Sequence, residues 1–159
     1  MARNGGARFS LAQLNGVSGP WRRTAGGARR ATPFGQEIVR FGLPVTEQFL
    51  VVDEPQGAKT WRWRIGRGLT PRLSGGGVEL FDGAGRDIGI SLKPPRILDA
   101  DGTDVSPRGT AWRLGRDSDG WLLRLRLDDA RLPSPYTIDP AATYQSVFSG
   151  TASNRSEVG

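Results

Sequence analysis

The 159-residue chain contains no cysteine and no histidine. Without cysteine there is no disulfide, no thiolate nucleophile and no sulfur ligand for a metal. Without histidine there is no Ser-His-Asp or Cys-His catalysis, no imidazole acid–base chemistry, and few routes to a zinc or copper site. No apolar run reaches the roughly 18 residues of a membrane span. Lysine is nearly missing, with only Lys59 and Lys93. The opening Met-Ala-Arg-Asn-Gly-Gly-Ala-Arg is followed by no apolar segment, so no signal peptide is expected. That expectation leaves a protein that stays in the cell, or a piece or cargo of something exported by other means. Gly75-Gly76-Gly77 is followed by neither Lys-Ser/Thr nor a helical pattern, so it reads as a turn and not as a phosphate loop. The acidic neighbours Asp53-Glu54 and Asp128-Asp129 read as solvated turn residues. No motif supplies a nucleophile, a base and an oxyanion donor together, and the expectation is a non-catalytic protein.

What is present points to one domain of short strands. Hydrophobic residues make up 36% of the chain, with 23 glycines and 11 prolines. That is enough apolar material for a packed core, and the turn formers favour hairpins over long helices. The net charge of +6 is unevenly placed. Arg3, Arg8, Arg22, Arg23, Arg29, Arg30 and Arg40 face only Glu37 within the first 40 residues, and the rest of the chain is neutral. Residues 1–33, rich in Gly, Ala, Arg and Ser, are therefore expected to be a flexible basic arm, with at most a turn of helix at Ser10 to Leu14. Such an arm would track a polyanion, nucleic acid included, through Arg22, Arg23, Arg29 and Arg30, by pairing guanidinium with phosphate. Its plainer reading is a solvated tail.

From Phe34 the pattern becomes that of strands. Gln36 to Phe41 and Glu47 to Asp53 are two β-prone runs, and Phe49-Leu50-Val51-Val52 suggests a strand covered on both faces. Trp61, Trp63 and Ile65 alternate with Arg62 and Arg64. Trp112 and Leu114, then Trp121, Leu123, Leu125 and Leu127, alternate in the same way around the turn Asp117-Ser118-Asp119-Gly120. Period two places Trp61, Trp63, Trp112, Trp121 and Leu123 between two sheets, and turns Arg62, Arg64, Arg113, Arg124 and Arg126 outward toward acids or a partner. Trp with interleaved Arg could alternatively stack bases or sugars. Val78 to Leu92 forms a hairpin, and Pro94-Pro95 places Arg96 to Leu98 at an edge or in a crossing connection. Tyr136 to Ile138 is the last strand, and residues 142–159 read as a tail or a linker to a further module.

Asp99, Asp101 and Asp104 place three carboxylates within six residues, a calcium candidate. The spacing departs from the EF-hand register, because Gly102 is fourth and Thr110 twelfth. The competing reading is a set of Asx turns. No other cofactor is expected.

Gly68-Leu-Thr-Pro-Arg-Leu73, then GGGVELFDGAGRDIGISLKPPRILDADG beginning at Gly75, and then DGWLLRLRLDDARLPSPYTIDPA beginning at Asp119 together resemble a β-rich module of large bacterial cell-surface and secreted proteins. The resemblance covers residues 43–141. In those proteins the module commonly lies upstream of DNRLRE-type or Rhs/YD-repeat regions. Here Pro135 precedes Tyr136, where the family pattern has it follow. The resemblance implies a non-catalytic module of an extracellular or cell-envelope assembly. Together with the strand pattern, the expectation is an all-β antiparallel sandwich spanning residues 34–141, with other subunits or adjoining modules as partners. A polyanion-binding protein and a subunit of a virion or other particle, particle-borne or cytoplasmic, are the alternatives.

Overall fold

A computed structural model describes residues 2–4, 7–42 and 45–144. Among them there are sixteen strands and no helix. In chain order these are β1 (Ala2–Asn4), β2 (Ala7–Phe9), β3 (Leu11–Gln13), β4 (Arg22–Thr24), β5 (Gly27–Thr32), β6 (Gly35–Phe41), β7 (Val45–Val52) and β8 (Ala58–Ile65). There follow β9 (Thr70–Ser74), β10 (Gly77–Phe81), β11 (Asp87–Leu92), β12 (Arg96–Leu98), β13 (Trp112–Asp117), β14 (Gly120–Asp128), β15 (Tyr136–Asp139) and β16 (Ala142–Tyr144). The all-β antiparallel sandwich expected from the sequence is the observed architecture. No helix among the described residues is long and apolar enough to cross a membrane.

Two sheets carry the core. A ten-stranded sheet runs β4-β5-β6-β7-β16-β11-β10-β9, with β15 on β7 and β12 on β15. A four-stranded sheet runs β13-β14-β8-β3, and β1 and β2 pair separately. The β7 strand is the branch point. β6 covers one of its edges along the whole length, from Gly35 opposite Val52 to Phe41 opposite Thr46. β15 and β16 share the other edge, with Ile138 opposite Leu50 and Ala142 opposite Thr46. Both follow one register, interrupted where Pro140 has no N–H to donate. The chain changes neighbour at the interruption. β15 takes β12 on its far side, and β16 takes β11.

The core lies between the inner faces. Leu50, Val52, Val78, Leu80, Ile90, Leu92, Ile97 and Ile138 of the large sheet are buried, facing Trp61, Trp63, Ile65, Leu123 and Leu125 of the small one. Each such aliphatic side chain contributes about 1.5–3 kcal/mol by leaving water. Trp61 and Trp63 are 0% exposed. Phe34 meets Trp61 edge-on at 4.8 Å between ring centroids, and Trp112 meets Trp63 edge-on at 5.4 Å. This is the geometry that aromatic quadrupoles prefer. Trp112 Nε1 also donates to the Lys93 carbonyl at 2.7 Å.

Three expectations require correction. Residues 9–33 are not a flexible arm, since β3 pairs with the edge of β8 and β5 pairs with β6 over six residues. Phe9, Gln13 and Asn15 are buried. The boundary expected at residue 34 falls inside the β5–β6 hairpin, where Thr32 pairs with Gly35. Ser10 to Leu14 extends as a strand because Leu14 N–H and Gly66 N–H bond the carbonyls of Arg62 and Ser10, continuing the β3–β8 ladder at both ends. Second, residues 142–144 are strand β16 and not part of a tail, while residues 145–159 lie outside the described residues. Third, Trp121 is only partly buried at the margin of the core, and Arg116 lies 5.3 Å from its ring centroid. Leu122, which shares the outward parity of Arg124 and Arg126, is nonetheless buried at 4% exposure. Its same-face neighbours in register are Arg64, Arg124 and Gly115, and arginine stems readily cover an apolar side chain.

Replacing Trp63 by Ala should lower unfolding free energy by about 3–5 kcal/mol. Trp121→Ala should cost less than half as much in the same urea titration, because less of its surface leaves water. Deleting residues 1–33 should lower the urea midpoint clearly, since it uncovers edges of β6 and β8. An unchanged midpoint would return these residues to the status of an appendage.

Candidate functional site

Strand periodicity that sends tryptophan inward from β8 and β14 sends arginine outward. On the outer face of the small sheet, Arg113, Arg124 and Arg62 stand directly opposite one another on β13, β14 and β8. Side chains so placed have Cβ atoms about 4.5–5.5 Å apart, and like charges there repel. Arg126, opposite Thr60, and Arg64, opposite Leu122, flank the row on the same face.

The five guanidiniums are not equivalent. Arg64 is tied to Asp117 by a two-pronged pair, Nη1 to Oδ1 at 2.6 Å and Nη2 to Oδ2 at 2.8 Å, and it also donates to the Gly120 carbonyl at 3.2 Å. The Arg64 bond holds the Asp117 carboxyl down to about 2, and the same bond raises the guanidinium above its usual value. Arg62, Arg113, Arg124 and Arg126 have no carboxylate partner among the described residues. The Arg124 head lies across β13, so that a Cβ at Gly115 would collide with it. Gly115 thus lets one guanidinium lie flat along the sheet. The backbone of Arg62 is held from the N-terminal segment. Asn15 Oδ1 accepts from Arg62 N–H at 3.2 Å, and Asn15 Nδ2 donates to the Arg62 carbonyl at 3.3 Å.

The arginines expected on a mobile arm sit on an edge hairpin. Arg22 and Arg29 are opposite each other on β4 and β5, both exposed, and Arg23 follows on β4. Arg30 turns inward. Its Nε and Nη2 both reach Glu37 Oε2 at 2.7 Å, and its guanidinium lies 4.5 Å from the centre of the Trp21 ring. The structure therefore separates the sequence candidates into Arg62 and Arg64 on one sheet and Arg22, Arg23, Arg29 and Arg30 on the other. Arg113, Arg124 and Arg126 join Arg62 through register, a relation that the pairing of β8 with β14 creates.

Two of the three calcium candidates, Asp99 and Asp104, are engaged as turn acceptors. Asp99 Oδ1 accepts the N–H groups of Asp101 and Thr103, both at 2.9 Å, and Asp104 Oδ1 accepts from Ser106 N–H and Oγ. The Ser106 hydroxyl, aided by its N–H, draws the Asp104 carboxyl below its usual value. No group of three or more acidic side chains arranged for a metal occurs among the described residues.

Asp129, taken from the sequence as a solvated turn residue, is buried instead. It accepts from Gln56 N–H at 2.6 Å, Gly57 N–H at 2.8 Å and the Tyr136 hydroxyl at 2.6 Å. The knot joins the turn before β8 to the start of β15. Burial opposes the charged form, but the two N–H groups and the hydroxyl outweigh it and hold the carboxyl below its ordinary value. Burial first, then the carboxylate, push the Tyr136 phenol well above its own. No sequence signal separates Asp129 from Asp128 beyond the parity of β14.

The fold and this face define the class of protein: an antiparallel β-sandwich with an arginine-faced small sheet. Among known proteins, the chain matches no family model, no curated protein and no solved structure.

Asp129→Asn should cost about 1–3 kcal/mol at neutral pH, since the amide turns a donor toward groups that need an acceptor. A carboxyl with a depressed folded pKa stabilises above its unfolded value, near 3.9, and loses that contribution as pH falls through the folded value. The gap between wild type and Asp129→Asn in urea midpoint should therefore be constant above about pH 5 and shrink below about pH 4.

Proposed function

We propose that the chain is a non-catalytic structural or adhesion module of a bacterial surface, secreted or particle-borne assembly, and that it holds an anionic polymer against the outer face of its small sheet. One observation carries the reading. Three arginines stand opposite one another in register on adjacent strands, with no acid paired to them among the described residues. Like charges in that position destabilise a sheet, and a string of phosphates, sulfates or carboxylates laid across the strands would relieve the repulsion while releasing counterions. The well-buried acids support a scaffold role. Asp129 fastens a turn, Asp139 receives Arg96 at 2.6 Å, and Glu37 receives Arg30 and Gln48. The resemblance of residues 43–141 to modules of large cell-surface and secreted proteins supports the setting.

The test is a titration of the full chain with heparin and with a short DNA duplex at several salt concentrations. With three to four free arginines engaged, the log–log slope should be about −3 to −4, so that raising salt from about 50 to about 200 mM weakens binding about 10²-fold. Arg62→Glu, Arg113→Glu and Arg124→Glu together should abolish binding, while Arg22→Glu with Arg29→Glu should leave most of it. No binding by the wild type at low salt overturns the reading. So does loss in the second variant alone, which would place the polymer on the β4–β5 hairpin.

A further inference from the structure

Away from the outer face that carries the arginines, the inner side of the large sheet is incompletely filled. A cavity of about 330 Å³ lies between the segment Phe9 to Leu11 and the strands β5, β6, β7 and β16. Its floor follows from register. Ala28, Val39 and Gln48 form one row across β5, β6 and β7, with Glu37 in the next row toward the core. Two aromatic side chains that line it face solvent, Trp21 at 45% exposure and Phe41 at 61%. Large apolar groups left in water at the mouth of an apolar hollow are characteristic of ligand sites.

The second observation is a buried polar atom. Gln48 is 8% exposed, and its Nε2 donates to Glu37 Oε1 at 2.6 Å. The carboxylate only accepts, so this bond fixes which end of the Gln48 amide faces it. Gln48 Oε1 is left as an acceptor with no partner among the described residues. Buried acceptors are normally satisfied, and one that is not calls for a donor. The charge of Glu37 is matched by Arg30, so the donor need carry no charge. An apolar cavity of about 150 Å³ accommodates benzene, and this one has room for about two rings.

We propose that this cavity binds a neutral small molecule with a flat apolar body of about two rings and one N–H or O–H donor. The rings lie against Leu11, Val39 and Trp21, and the donor bonds Gln48 Oε1. The site shares no residue with the arginine face, so either reading can fail without the other.

The experiment uses indole, 1-methylindole and naphthalene as probes, titrated into the full ¹⁵N-labelled chain and followed at the Gln48 side-chain amide and the Trp21 indole N–H. Indole should saturate and move both signals. 1-Methylindole and naphthalene, lacking the donor, should bind about tenfold more weakly. Val39→Trp, which fills the floor, should remove indole binding while the dispersed spectrum persists. If that variant does not fold, the comparison among the three probes still decides. No saturable shift with indole overturns the proposal, as it would if another part of the chain occupied the space. Equal affinity for all three probes, or shifts confined to other residues, also overturns it.

Discussion

The structure depends on the packing of two tryptophans two residues apart on one strand. Trp61 and Trp63 leave β8 on the same side and are wholly buried between the sheets, each met edge-on by a second aromatic ring. Two indoles at this spacing leave little freedom in register. A shift of one residue would turn both into water and turn Arg62 and Arg64 into the core. The alternation that builds the core therefore also builds the outer face, and Arg62 faces outward because Trp61 and Trp63 face inward. β14 repeats the arrangement with leucine in place of tryptophan, and pairing the two strands aligns their arginines.

This coupling explains what could be read from the sequence and what could not. The hairpins of residues 78–92 and 112–128 were legible because alternating apolar residues and Asp/Gly turns state period two directly. The strands β4 and β5 were not. Gly27-Ala28-Arg29-Arg30-Ala31-Thr32 has no large apolar side chain to mark a face, and arginine and glycine usually signal a tail. What orders β5 is six residues of pairing with β6, a relation between segments that no local pattern displays.

The candidate sites divide in the same way. Arg62 and Arg64 could be placed on an outward face from spacing alone. Their alignment with Arg113 and Arg124 needed the β8–β14 register, and the withdrawal of Arg64 into a pair with Asp117 needed the β13–β14 turn to fold back beside β8. The cavity was hidden for a different reason. Its parts come from residues 9–11, 21, 28–48 and 140–142, and its polar atom is defined by an unused bond. Asp99 and Asp104 show the converse. Dense carboxylates suggested an ion, and the structure shows that Asp99 and Asp104 also accept local backbone N–H groups, since Asx turns form within a few residues.

The sharing of one edge of β7 between β15 and β16 has a kinetic meaning. Among the described residues, the wing from β4 to β7 and the wing from β9 to β11 join in one ladder only through β16, a strand of three residues about ninety positions along the chain from β7. Each wing can zip from its own hairpins, but the wide sheet closes only when that late strand arrives between them. Such long loop closures are the slow steps of folding, and until closure the facing edges of β7 and β11 are open to any other strand. The topology thus makes the nascent chain most prone to mispairing at its centre, not at its rims.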